Sequence, residues 1–124
     1  YEFGDWMPYE EKYWCTAPEE PGVIETRDAS TKEELFKTFT TGGSLLWSLG
    51  RKDPNKNFGN LSGYEKQLVK SGGRLEVRYA VTDRVYEAKD LRNFLLHRHI
   101  EKHGRLPLGQ KQNPSKPNAE WDDE

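Results

Sequence analysis

The stretch from residue 73 to 110 constrains the fold most, because it predicts one strand followed directly by one long helix. Apolar and polar residues alternate over residues 75–82, which is the period of a strand with one face against a core. Asp83 is the predicted N-cap of the helix, and Gly104 followed by Pro107 predicts its end after about 19 residues. The predicted apolar side of the strand consists of Leu75, Val77, Tyr79 and Val81. The predicted apolar stripe of the helix consists of Val85, Ala88, Leu91, Leu95 and Leu96.

The pattern upstream of this stretch predicts two further strands and two short helices. Residues 23–27 and 35–39 are apolar runs on either side of a polar turn, as in a β-hairpin. Ser44 is the predicted N-cap of a short helix that Gly50 ends, and residues 64–70 predict a second one. The order strand, strand, helix, helix, strand, helix predicts an α+β domain with a small three-stranded antiparallel sheet flanked by helices.

Three regions of the chain differ in composition. Residues 1–20 are an aromatic leader with neither a helical nor a strand period, so an extended conformation is predicted. Residues 21–110 contain the apolar residues of the predicted domain. Residues 111–124 are polar and acidic at their end, which is typical of a disordered or docked tail. Because only 33% of the 124 residues are hydrophobic, we expect a modest core.

The charge balance limits the classes of partner. The chain has 19 Lys and Arg residues against 21 Asp and Glu residues, a formal net charge of -2 that disfavours a generally basic, nucleic-acid-binding surface. A local cationic face stays open as an interpretation, because the acidic residues can lie elsewhere. The candidate residues of this nucleic-acid face are Lys66, Lys70, Arg74, Arg78, Arg92 and Arg98.

The sequence favours a soluble, intracellular protein. Cys15 is the single cysteine, so an intrachain disulfide is excluded, and no apolar run approaches the ~18 residues of a membrane span. Association with a membrane would then be peripheral and through partners. The numbering begins at Tyr1 rather than at a methionine, so removal of a transit peptide, with a location in a mitochondrion or plastid, is a further expectation.

Two segments together resemble a GIY-YIG nuclease domain. PGVIETRDASTKEELF, residues 21–36, resembles the hairpin with the two motifs that name the family. EVRYAVTDRVYEAKDLRNFLLHRHIEKHGRLP, residues 76–107, resembles the third strand and the helix of its second half. The resemblance covers residues 21–110 and implies a site in which two tyrosines, an arginine, a metal-binding glutamate and an asparagine surround a scissile phosphate.

The chain departs from that family at every catalytic position. The positions of the two tyrosines, the arginine and the glutamate are occupied by Ile24, Phe36, Leu46 and Arg92. The asparagine falls at Gly109 or Gln110. A guanidinium offers no lone pair to a hard cation, so Arg92 replaces the metal site with a positive charge. We therefore predict no catalytic residue, no metal, no cofactor and no enzyme activity.

Two alternatives use the remaining polar residues of the long helix. A divergent metal-dependent DNA endonuclease would use Glu87 or Asp90 with a histidine, although these acids are better explained as partners of Arg92 and Arg98 in surface ion pairs. His99 and His103 have the spacing of half a zinc site, but a solvated basic helix end is favoured over metal binding. A nucleic-acid-binding accessory without cleavage is the other alternative.

The leader carries an unusual density of large side chains. Tyrosine and tryptophan dominate the contact hot spots of protein interfaces, so we expect docking onto partner subunits in preference to packing on the chain's own sheet. We therefore predict a non-catalytic structural or interaction subunit of a larger protein assembly. The predicted partner-binding residues are Tyr1, Phe3, Trp6, Met7, Tyr9, Tyr13, Trp14 and Trp121.

Overall fold

The computed structural model describes residues 1–32 and 35–122, which form an α+β fold around a four-stranded antiparallel sheet. The strands are β1 (Met7–Pro8), β2 (Gly22–Asp28), β3 (Leu35–Thr40) and β4 (Leu75–Val81), in the spatial order β1-β4-β2-β3. The helices are α1 (Glu11–Trp14), α2 (Leu45–Arg51), α3 (Gly63–Lys70) and α4 (Val85–His103), with a short 3₁₀ helix at Phe58–Asn60. Within the described ranges, no helix combines the length and the apolar character that crossing a bilayer requires.

The prediction of three strands is wrong, because the leader supplies the fourth. In β1, Met7 pairs with Val77 and Pro8 pairs with Glu76 at the edge of the sheet. Proline has no N–H to donate, so an edge position suits it. The backbone N–H of Gly4 also donates to the Tyr79 carbonyl at 3.1 Å, so the leader follows β4 before β1 begins. A two-residue strand is too short to produce an alternating pattern, which is why the sequence does not reveal it.

Helices cover both faces of the sheet, so the prediction that β4 has only one buried face is also wrong. On the first face, Ile24 and Val77 are fully buried in a core cluster shared with α1 and α2. On the second face, Val23 and Ala80 are buried beneath α4. Val81, predicted to point inward, is 43% exposed, and the buried residue at this end of β4 is its neighbour Ala80. Successive residues of a strand point to opposite faces, so a helix on each side buries both sets.

The capping residues Ser44 and Gly104 confirm two of the predicted helix boundaries, whereas α2 continues past the predicted end at Gly50 to Arg51. The Ser44 hydroxyl accepts a hydrogen bond at the start of α2, and Gly104 ends α4 in the left-handed conformation with φ of 74°. Ser62 forms a capping box at the start of α3. The prediction for Asp83 is wrong, since the N-cap of α4 is Arg84 and its side chain makes no capping hydrogen bond. The two strands of the predicted hairpin, β2 and β3, are present.

The leader packs on its own domain and contains both β1 and α1, in contrast to the extended conformation that was predicted. Tyr9 is 2% exposed, and its hydroxyl donates to the Leu49 carbonyl at 2.9 Å. Trp14 is 5% exposed, and its indole N–H donates to the buried Asp53 carboxylate at 2.9 Å. These two aromatic residues are therefore part of the core of the domain.

The burial of the leader gives a test by substitution. We expect Trp14→Ala to lower the free energy of unfolding by about 3–5 kcal/mol, because it opens a cavity and leaves Asp53 without its indole donor. Tyr13→Ala is the matched control, since its neighbouring side chain is 43% exposed and should cost no more than about 0.5 kcal/mol. Urea unfolding measures the free energy of unfolding of both variants. Equal small losses would contradict the assignment of Trp14 to the core.

Candidate functional site

A cavity of about 480 Å³ lies along β3, the strand at the edge of the sheet opposite to β1. We call it the β3-edge cavity. It is bounded by β3, by the turn before α3, by the middle of α4 and by the segment after α4, so it lies where the helical layers of the two faces meet. Its lining residues are Lys37, Phe39, Thr40, Asn60, Leu61, Ser62, Arg92, Gly109, Gln110, Lys111 and Gln112.

The segment that closes the cavity is tied to the edge strand. The side-chain carbonyl of Gln110 accepts a hydrogen bond from the backbone N–H of Thr38 at 3.2 Å. The backbone N–H of Gln110 donates to the Pro107 carbonyl at 2.9 Å, which turns the chain just after α4. An edge strand leaves such backbone groups unpaired, so the turn uses one of them to hold Lys111 beside β3.

The lining of the β3-edge cavity is cationic. Lys37 of β3, Arg92 of α4 and Lys111 of the closing segment all border it, and its described lining includes no carboxylate. The Nε atom of Arg92 is buried and has no hydrogen-bond partner among the described residues, while its Nη2 donates to Asn93 at 3.5 Å. The guanidinium charge of Arg92 therefore borders the cavity and would attract an anion there.

Lys52 extends this cationic region. Its ammonium donates to the backbone carbonyl of Asn60, a lining residue, at 3.1 Å. Partial burial lowers the pKa of Lys52, and repulsion from the Lys37 and Arg51 charges lowers this pKa further against an opposing effect of Glu65. Positive charge at this edge of the sheet is therefore only partly neutralised by the protein.

A second recess of about 550 Å³ adjoins the β3-edge cavity through Asn60, which lines both. We call it the Trp47 recess. Trp47 of α2 leaves 63% of its surface exposed there, and the Arg51 guanidinium lies 5.2 Å from the centroid of its ring. The two recesses together place an exposed indole beside a group of cations.

The positions that the GIY-YIG resemblance singled out occupy three environments. Ile24 is fully buried in the first core cluster, and Leu46 packs against that cluster and lines the Trp47 recess. Arg92 and Gln110, with the neighbouring Gly109, line the β3-edge cavity. The side chain of Phe36 lies outside the residues that the structure describes.

The six residues of the predicted nucleic-acid face do not form one surface. Arg78 is ion-paired with buried Glu25 at 2.7 Å beneath the leader, and Arg98 donates to the Tyr1 hydroxyl at 3.0 Å. Lys66 and Lys70 belong to α3, which packs on the opposite face of the sheet from α4, and Arg74 is exposed in the loop that follows. Of the six, Arg92 alone lines the β3-edge cavity. The sequence did not indicate the other cations of this region, which are Lys37 and Lys111 in the lining and Lys52 beside it.

Glu25 and Arg78 form a buried polar pair beneath the leader. Burial raises the pKa of Glu25, although the Arg78 and Arg98 charges and a hydrogen bond from Thr38 oppose this shift. The Arg78 guanidinium lies 4.2 Å from the centroid of the Phe3 ring. The pair therefore joins the centre of the sheet to the leader and has its hydrogen bonds satisfied within the protein.

Asp90 binds the C-terminal tail, so its predicted ion pair with Arg98 is wrong. Its carboxylate accepts hydrogen bonds from the backbone N–H groups of Asn118 and Ala119 at 2.6 and 2.9 Å and from the Trp121 indole at 2.9 Å. Burial raises the pKa of Asp90, but these three hydrogen bonds outweigh burial, and the net pKa is lowered. The tail is thus docked on α4.

Two histidines lie together at the end of α4, with His99 buried and His103 exposed. The prediction of a solvated helix end is wrong for His99, which is 6% exposed and has its Nδ1 hydrogen-bonded to the Arg105 carbonyl at 2.8 Å. The rings of His99 and His103 lie 4.4 Å apart. In the described part of the chain, no group of three or more histidine, cysteine, aspartate or glutamate residues is arranged to hold a metal ion.

The predicted partner-binding residues differ in how much surface they leave for a partner. Tyr9 and Trp14 leave almost none, whereas Tyr13 is 43% exposed. Trp6 lies over the Arg27 guanidinium at 4.0 Å from its ring centroid, and Met7 packs against the first core cluster. The remaining residues of the set pack against the second core cluster beside α4; they are Tyr1, Phe3 and Trp121.

Comparisons of the chain with protein-family models, with curated proteins and with solved structures found no match. The resemblance to GIY-YIG nucleases therefore stays a prediction. The architecture that the structure establishes is an α+β fold with a four-stranded antiparallel sheet.

Docking of the tail on Asp90 should depend on pH. Because the pKa of Asp90 is lowered in the folded protein, its stabilising contribution is complete above the unfolded value of about 3.9 and is lost as the pH falls through the folded value. We expect the Asn118 and Ala119 amides to lose hydrogen-exchange protection in that acidic range, and at neutral pH in Asp90→Asn. Glu87→Gln, one turn earlier on α4, should leave their protection unchanged. Protection that persists in Asp90→Asn would contradict this role.

The Glu25–Arg78 pair should be more costly to break than to replace. We expect Arg78→Leu alone to lower the free energy of unfolding by about 3–5 kcal/mol, because it leaves a buried carboxylate without its partner. The double variant Glu25→Leu with Arg78→Leu should recover part of that loss. Lys56→Ala, which breaks the exposed pair with Glu11, should cost less than about 1 kcal/mol. A double variant no more stable than Arg78→Leu would contradict the pairing.

Proposed function

We propose that this chain is a non-catalytic interaction subunit of a larger assembly, built on a degenerate GIY-YIG-like fold, and that it binds nucleic acid through the β3-edge cavity. The observation that carries the proposal is the convergence of Lys37, Arg92 and Lys111 on one cavity beside an edge strand. These three cationic residues come from a strand, a helix and a loop, and all three line the same space.

The absence of catalysis in this proposal rests on the chemistry of two positions. Arg92 occupies the position of the family's metal-binding glutamate, and a guanidinium repels the cation that a glutamate would hold. Ile24 occupies the position of a tyrosine, is fully buried in an apolar cluster and offers no oxygen to attack a phosphate. Arg92 thus favours retention of an anion, and Ile24 removes a nucleophile for its hydrolysis.

Nucleic acid is the favoured anionic partner because its phosphates suit this lining. Arginine binds phosphate through two parallel hydrogen bonds, and lysines add charge and release counterions from the polymer. The formal net charge of -2 gives the chain as a whole no basic surplus. Nucleic acid would therefore bind at the cationic cavity and not over the whole surface.

Membership of a larger protein assembly stays part of the proposal. Tyr13, Tyr64 and Tyr86 are 43%, 51% and 66% exposed, and tyrosine is a residue type that protein interfaces favour. Because Tyr9 and Trp14 are core residues, deleting the whole leader would unfold the domain. The appropriate test of a contact through the leader is therefore Tyr13→Ala in the full chain, with recovery of native partners as the readout.

Binding of a fluorescently labelled oligonucleotide of about 12 nucleotides, followed by anisotropy against salt concentration, tests the proposal. We expect Lys37→Glu and Lys111→Glu each to weaken binding about tenfold or more, and neutral Lys37→Ala to reduce the slope of log affinity against log salt by roughly one. Lys89→Glu, an exposed lysine on α4 outside the cavity lining, is the matched control.

Three outcomes decide the proposal. A selective loss in the two cavity variants supports it. Equal losses in Lys89→Glu, or an affinity that does not depend on salt, would overturn the assignment of the cavity. Mg²⁺- or Mn²⁺-dependent cleavage of the oligonucleotide, abolished by Glu87→Ala or Asp90→Asn, would instead establish the divergent endonuclease.

A further inference from the structure

We infer that the nucleic acid bound at the β3-edge cavity is single-stranded, and that one of its bases stacks on Trp47. This inference rests on the proposed function and specifies the ligand class of the same site. It depends on an exposed indole beside the cationic cavity.

Trp47 is exposed because of its place on α2. The buried side of this short helix is formed by Leu45, Ser48 and Leu49, so Trp47 points away from the core. The indole of Trp47 is 63% exposed, so it lacks the burial that normally stabilises a large aromatic side chain. The Arg51 guanidinium, 5.2 Å from the ring centroid, covers only part of the ring. Most of the ring is therefore available to a ligand.

The position of Trp47 relative to the cations favours a ligand that carries both an aromatic ring and a phosphate. Asn60 lines both the Trp47 recess and the β3-edge cavity, so the two recesses are neighbours on the surface. Single-stranded nucleic-acid sites combine a cationic groove for the backbone with aromatic side chains on which bases stack. Here Lys37, Arg92 and Lys111 supply the first feature, and Trp47 supplies the second.

A single strand fits this arrangement better than a duplex. In a duplex each internal base is stacked on both sides by its neighbours, so an indole has no free base face unless the helix is opened. Stacking on Trp47 would strengthen the binding of an unpaired base about tenfold or more, whatever its identity, because every base presents a π face. We therefore expect a preference for single strands with little dependence on sequence.

The exposed indole beside the cations also favours single-stranded nucleic acid over an acidic protein segment as the ligand. Carboxylates would satisfy the cations, but a peptide would not need a flat aromatic surface next to them. A protein that docks on Trp47 as an interface hot spot is the competing outcome, and it would bind in the absence of any nucleotide.

The test compares a labelled single strand with a duplex of the same sequence, for the unsubstituted chain and three variants. Trp47→Ala should weaken single-strand binding by about tenfold or more, whereas Trp47→Phe, which keeps an aromatic face, should lose less. The salt slope should stay unchanged in both, because no phosphate contact is removed. Tyr86→Ala, an aromatic residue of α4 that is 66% exposed and lies outside both recesses, should bind as the unsubstituted chain does.

A direct optical readout accompanies the affinities. Stacking quenches indole fluorescence, so binding of the single strand should reduce the tryptophan emission of the unsubstituted chain, and Trp47→Phe should abolish most of that change. Thermal unfolding of each variant checks that the fold is intact, which we expect because the substituted side chains lie at the surface.

The outcomes separate this inference from the proposal on which it rests. If duplex and single strand bind equally and Trp47→Ala changes neither, the inference is overturned, while sensitivity to Lys37→Glu would still support the cationic cavity. If neither nucleic acid binds, both fail. If Trp47→Ala instead removes binding of a protein subunit and leaves the oligonucleotide unaffected, the stacking role is overturned in favour of a protein interface.

Discussion

The antiparallel pairing of β2 with β4 organises both faces of the sheet. It joins two segments that lie far apart in the chain, and the central strand β2 carries Val23 toward α4 and Ile24 toward the other helices. Because side chains alternate across a strand, this one pairing supplies both core clusters at once. It also leaves β3 at one edge of the sheet and lets the leader add β1 at the other.

The free edge of β3 explains where the candidate site lies. An unpaired strand edge must be covered or solvated, and here the turn around Gln110 covers part of it through one hydrogen bond. The space that remains is bordered by groups from both helical layers, which brings Lys37 near Arg92 and Lys111. The proposed binding site is thus a consequence of how the sheet ends, while the polar pair of Glu25 and Arg78 at its centre is satisfied internally.

The leader and the tail share a structural role, because both pack on the domain although their composition predicts docking or disorder. Aromatic residues in a short, Pro-containing leader are typical of a segment that docks on partners, yet Tyr9 and Trp14 complete the core of a domain with few apolar residues. The tail is likewise held by Asp90, with Trp121 against the second cluster. A small domain gains burial by folding its own ends onto itself, since its core is otherwise modest.

The local elements are predictable from the sequence: the strands β2, β3 and β4, the helices α2, α3 and α4, and the helix ends at Ser44 and Gly104. Alternation and capping depend on neighbours within a few residues, and such signals are legible without a partner segment. Tertiary structure alone decided that both faces of the sheet are covered, that the leader adds a strand, and that Lys37, Arg92 and Lys111 share a cavity. Residues so distant in the chain meet only when the order of strands is known, and no local pattern records that order.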